Sequence, residues 1–78
     1  MLRTRKELIE DQSNGRLYVR YTPYLEVIGP CASGQLSFAF WEAEVGDSAS
    51  VHLKAQRDAI AQAARVIAEI ADDVTAVA

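Results

Sequence analysis

The chain has one cysteine, one histidine and no apolar run long enough to cross a bilayer. A single thiol, Cys31, excludes an internal disulfide and any zinc site built on the usual sets of sulfur ligands. The lone histidine, His52, has no Ser, Thr or Cys set beside it by a motif, and a general base needs its proton donor within hydrogen-bond reach. It reads as a boundary residue filling space in a first helical turn. The basic start (Arg3, Arg5, Lys6) lacks the apolar stretch of a secretory signal, so the expectation is a soluble cytoplasmic protein. There is no internal repeat, low-complexity linker or second domain, and 78 residues allow one domain. A chain of this size buries only roughly 60–65% of the surface its unfolded form exposes, which leaves its stability marginal.

Half of the residues are apolar, enough for one core. The stretch from Asp47 to Asp73 reads as a long amphipathic helix. Leu53, Ile60, Ile67 and Val74 recur every seven residues, Ala63 and Ile70 fall at the complementary offset, and Ala64 and Ala71 lie beside the stripe. The opposite side carries Lys54, Asp58, Gln62, Arg65, Glu69, Asp72 and Asp73. Asp47 or Ser48 supplies the N-cap, and Thr75 to Ala78 should fray.

Upstream, the periodicity is that of strands. Residues 16–22 (RLYVRYT) alternate, with Leu17, Val19 and Tyr21 on one face and Arg16, Tyr18, Arg20 and Thr22 on the other. The parity continues through Leu25 and Val27. This fits one long strand with Pro23 at a bulge or edge, or two strands broken at Thr22-Pro23. Residues 29–34 (GPCASG) form a turn. Residues 35–45 (QLSFAFWEAEV) form the most apolar strand, with Leu36, Phe38 and Phe40 on one face and Ser37, Ala39 and Trp41 on the other. The pattern slips after Trp41, because Glu42 takes the parity of Phe40. Residues 2–12 suit a strand pairing back through Asn14-Gly15, a strong hairpin signal, or a short helix ended by Gly15. Their charge order opposes a helix dipole and favours the strand.

Together these elements give an α+β fold: a small antiparallel sheet of about three strands with one long C-terminal amphipathic helix packed on one face. The helix is expected to bury Leu53, Ile60, Ile67 and Ile70 against Leu17, Val19, Leu25, Val27, Phe38 and Phe40. The other sheet face, with Trp41 on it, is left uncovered.

The net charge of −3 is unevenly spread: residues 1–34 sum to +1 and residues 35–78 to −4. An acidic chain does not wrap a phosphate backbone by default, but an acidic half can meet a basic protein surface. Glu42, Glu44 and Asp47 cluster near a strand end and lack the ligand spacing of a calcium loop. Glu69, Asp72 and Asp73 sit near the helix C-terminus, where exposed negative charge costs roughly 0.3–1 kcal/mol each. Local helix physics does not favour them there, which points to a partner's Lys or Arg. With Glu42, Glu44 and Asp58 they make a candidate acidic partner-binding rim. Arg16, Tyr18, Arg20 and Tyr24 on the open sheet face make a second candidate surface. It can serve a protein interface, clamp single-stranded nucleic acid or join copies of the chain in an assembly. Cys31, in an exposed loop with no base or cation beside it in the sequence, is an inert thiol or links two copies through an intermolecular disulfide. No cofactor or metal is expected, and no nucleophile–base pair marks an enzyme.

The strand-rich first half (RLYVRYTPYLEVIG and QLSFAFWEAEV), the Ala-rich closing helix (AQRDAIAQAARVIAEIADD) and the small acidic character resemble the phage-encoded anti-CRISPR proteins. The likeness covers the full length and leans to inhibitors of type I systems, in particular type I-C. That family shares no common motif, so no residue role carries over. The resemblance implies a stoichiometric inhibitor, without enzymatic activity, acting in the host bacterial cytoplasm. Its partner would be a DNA-binding Cas subunit of the surveillance complex (Cascade). No membrane partner and no direct nucleic-acid contact are expected, and Trp41 on the open sheet face suggests a partner or a second copy, so a homodimer is left open.

Overall fold

The computed structural model describes residues 2–30 and 33–77, with the side chains of these other than Val27 and residues 74–77. The chain folds as four strands and one helix. These are β1 (Leu2–Glu10), β2 (Leu17–Ile28), β3 (Ser33–Ser37), β4 (Trp41–Glu44) and α1 (Ala49–Val77). β2 is central and all pairing is antiparallel. β1 runs along one edge, while β3 and β4 share the other, β4 beside the first half of β2 and β3 beside the second. This is the α+β arrangement read from the sequence. No helix among the described residues is long and apolar enough to cross a membrane.

Residues 2–10 are a strand, but the turn that follows is not the tight two-residue type. That turn needs positive φ at both central residues, and only Gly15 has it (φ 69°). The chain instead makes one helical turn from Asp11, whose carbonyl accepts from the amides of Asn14 and Gly15. The Asp11 carboxylate accepts from the Ser13 amide (2.9 Å) and hydroxyl (2.6 Å), and the Asn14 side chain accepts from the Arg16 amide. Asp and Asn offer the backbone such local bonds, and the loop is built from both. The hydrogen bonds from Ser13 hold the Asp11 carboxyl below its ordinary value of 3.8.

Pro23 lies inside β2, fully buried, and the strand passes through it unbroken. The interruption falls on the partner instead. Pro23 accepts the Phe38 amide at its carbonyl but has no N–H to return on the same side. The second partner stretch therefore splits into β3 and β4 at residues 38–40. Ser37 pairs with Tyr24 and Trp41 with Tyr21, so three residues oppose two: a one-residue bulge. The slip anticipated after Trp41 thus occurs before it, and two aromatic assignments reverse. Trp41 pairs with Tyr21 and packs against the core under the helix. Phe40 stands on the open face, 48% exposed, beneath the Arg20 guanidinium.

The helix starts after Ser48, whose carbonyl accepts from the amides of Val51 and His52. The Asp47 carboxylate turns back to the Glu44 amide (2.8 Å) rather than capping the helix. The buried line of α1 is Ala55, Ala59 and Ala63, one turn apart; Ala55 packs with Tyr21 and Ala43, and Val19 and Trp41 pack around that cluster. The line expected from the large residues is displaced. Leu53 is 47% and Ile70 49% exposed, and Leu17 is also exposed. Ile60, Ile67, Leu25 and Phe38 are only half-buried. The side chain of Val27, expected in the same core, lies outside those described. Small side chains let the helix backbone approach the sheet, and that geometry selects alanine over leucine on the innermost line.

Ala63 is fully buried, yet Ile70, one heptad further on the same side, is not. The cover of the sheet therefore ends between them. The helix packs on β4 and β2, touches β1 and does not reach β3. It continues through Val77, past the point where fraying was expected.

Candidate functional site

The six carboxylates of the expected acidic rim do not form one surface. Glu42 and Glu44 belong to β4 and share the open face with β2, opposite Arg20 and Tyr18. Glu42 is held by Arg20, whose Nε and Nη2 both donate to one carboxylate oxygen (3.0 and 2.8 Å). Glu44 lies 3.9 Å from Arg16. Asp58 accepts from Lys54 one helical turn back (2.7 Å). Glu69, Asp72 and Asp73 remain on the uncovered part of α1, with no ion-pair partner among the described residues.

The open sheet face is closed on itself. Antiparallel register sets Arg20 beside Glu42 and Arg5 beside Thr22. Arg3 and Glu26 are 4.0 Å apart, as are Arg5 and Glu7. Arg5 also donates to Gln35 and lies over the Tyr24 ring at 5.0 Å, and Arg20 covers Phe40 at 4.0 Å. Tyr18 is half-buried in a row between Ile9 and Glu44. Each arginine of the face has an acidic neighbour, and the Tyr24 ring already carries a cation. Nucleic-acid binding depends on unpaired positive charge and free aromatic faces. Arg16, Tyr18, Arg20 and Tyr24 offer little of either.

His52 has a structural task. Its Nε2 lies 2.9 Å from the Glu44 carbonyl and its Nδ1 2.8 Å from the Tyr21 hydroxyl. A carbonyl only accepts, so Nε2 carries a proton, and Nδ1 of the neutral ring accepts from Tyr21. The two rings meet edge to face at 5.9 Å. The first turn of the helix is thereby fastened to both β2 and β4. The sequence offered the alternation that buries Tyr21, but not that its hydroxyl would need a partner from the helix.

Among the described residues no group of three or more His, Cys, Asp or Glu is placed to hold a metal ion. Cys31, the candidate for a link between two copies, lies outside the described residues. A cleft beside Trp41, walled by Asp58, Ala61, Gln62 and Arg65, follows the β4 side of the helix and brings together no nucleophile and base. The chain matches no protein-family model, no curated protein and no solved structure.

Proposed function

We propose that this chain is a binding protein that meets a basic protein surface through the uncovered end of its helix. The observation that carries this reading is the contrast among its carboxylates. Glu42, Glu44 and Asp58 are answered within the chain, whereas Glu69, Asp72 and Asp73 have no cation among the described residues. They lie on the uncovered stretch of α1, so a partner's Lys or Arg would meet charge that nothing among the described residues answers. DNA-binding channels are lined with such residues. Joined to the resemblance in the sequence, this makes the chain a stoichiometric, non-enzymatic inhibitor of a type I CRISPR surveillance complex. It would occupy the DNA-binding subunit and block target DNA.

A gel shift with purified type I-C surveillance complex, under reducing conditions, tests this. The expected result is loss of target-DNA binding near one-to-one stoichiometry. Restoration of DNA binding is expected when Glu69, Asp72 and Asp73 are all changed to Lys, with the circular dichroism spectrum unchanged. Intact DNA binding without co-migration of the wild-type chain rejects this partner. Full inhibition by the triple variant removes the helix end from the interface.

A further inference from the structure

The chain alone is too open for its size. Its accessible surface is 5764 Å², whereas a compact monomer of 8.6 kDa exposes about 4,700 Å². Its radius of gyration is 15.4 Å, against about 11.5 Å for a compact domain of this length. The excess surface, about 1,100 Å², exceeds the roughly 800 Å² that each partner buries in a standard interface. Four of its five buried hydrophobic side chains are alanines, while Leu8, Leu17 and Leu53 are exposed.

These leucines fall on one side. The helix flank bearing Asp58, Gln62 and Arg65 faces Trp41 of β4. At 3.6 residues per turn, Leu53, Ile60 and Ile67 lie on the opposite flank of the alanine line, so they look toward β1. Leu8 of β1 pairs with Val19, a residue packed against the core under the helix, and so shares the helix side of the sheet. It is 67% exposed. The outer edge of β1 pairs with no strand of the chain among the described residues. An apolar flank therefore runs beside an open strand edge.

We propose that a second copy of this chain covers this flank, the two β1 edges pairing antiparallel about a twofold axis at Leu8. The charges of β1 select that register. An axis perpendicular to the sheet keeps faces matched only if it passes through a residue pair of equal parity. Centring on Arg3, Arg5, Lys6 or Glu7 sets a charge against itself. Centring on Thr4 opposes Arg3 to Arg5, and centring on Ile9 opposes Glu7 to Asp11. Centring on Leu8 opposes Leu8 to Leu8, Lys6 to Glu10 and Arg5 to Asp11, with no like charges across the seam. Lys6 and Glu10 have no ion-pair partner within the chain among the described residues. The helices of the two copies then lie on the same side of one continuous sheet, with their Leu53–Ile60–Ile67 flanks turned toward each other.

Sedimentation equilibrium of the purified chain under reducing conditions tests the pairing. The expected mass is twice 8.6 kDa at micromolar concentration. Lys6→Glu and Glu10→Lys should each weaken the dimer at least tenfold, in a salt-sensitive way, and the double exchange should restore it. Both side chains are exposed, so the fold survives these changes. A monomer at hundreds of micromolar overturns the proposal, as does a dimer indifferent to both single reversals or a double exchange that fails to rescue. A complex with another protein that forms only from monomers, in place of the dimer, also overturns it.

Discussion

The two faces of the sheet are finished by opposite means. On the open face, long side chains lie flat across the strands. Arg3, Arg5, Arg16 and Arg20 find Glu26, Glu7, Glu44 and Glu42, and two of them also cover aromatic rings. On the helix face the buried line is made of small side chains, Ala55, Ala59 and Ala63, with Ala55 against Tyr21 and Ala43 and one polar fastening at His52. The open face is wide, polar and individually weak at each contact. The helix face is narrow and intolerant of volume. A chain too small for a deep core can thus hold one face by complementarity of charge and the other by closeness.

The contrast can be broken most severely on the narrow side. Ala59 is fully buried, and Ala59→Leu must push the helix off the sheet, at about 1–3 kcal/mol. Urea denaturation should show a lowered midpoint. A midpoint equal to wild type would mean that the helix is not seated closely. Next is His52→Ala, which strips the nearly buried Tyr21 hydroxyl of its partner and should cost roughly 1–3 kcal/mol. Tyr21→Phe in the same background should then cost little more, and full additivity in that double-mutant cycle would deny the bond. On the broad side, Arg20→Ala and Glu42→Ala should couple by about 1 kcal/mol or less. That coupling should shrink with added salt, and a salt-independent coupling would assign it to packing. The smallest effect belongs to Asp11. Its folded-state carboxyl titrates below its ordinary value of 3.8, so its contribution is present above that value and is lost as pH falls through the folded value. Asp11→Asn should flatten the pH dependence of stability in that acid window alone. An unchanged profile would show that the Ser13 bonds do not matter to folding.

Much of this architecture is legible in the residues. The helix, the alternation of β2 and the pairing of residues 2–10 back through the Asn14-Gly15 region all follow from periodicity and turn chemistry. Three things do not. The bulge is fixed by the missing N–H of Pro23 acting across to residues 38–40, an effect on a partner strand that no pattern within 35–45 can locate. Phe40 and Trp41 exchange faces as a result. The innermost helical line is chosen by how near two backbones can come, whereas a hydrophobic pattern ranks residues by size and so puts Leu53 ahead of Ala55. The candidate rim divides because register decides which charges meet. Glu42 and Glu44 count toward an acidic surface in the sequence, but antiparallel pairing hands them to arginines more than twenty residues away. Only Glu69, Asp72 and Asp73, beyond the reach of the sheet, stay unanswered among the described residues, and because α1 runs on to Val77 the dipole cost expected of a helix ending beside them does not apply.

The alanine seam also has a consequence along the helix axis. Ala55, Ala59 and Ala63 are identical in shape and one turn apart. Sliding the helix by four residues, about 6 Å, would lay Ala59 and Ala63 where Ala55 and Ala59 now rest. Such a seam is a ruler without numerals. The numeral is His52, which can reach the Tyr21 hydroxyl and the Glu44 carbonyl together from one position only. Apolar contact presses the helix inward, and a single imidazole tells it where to stop.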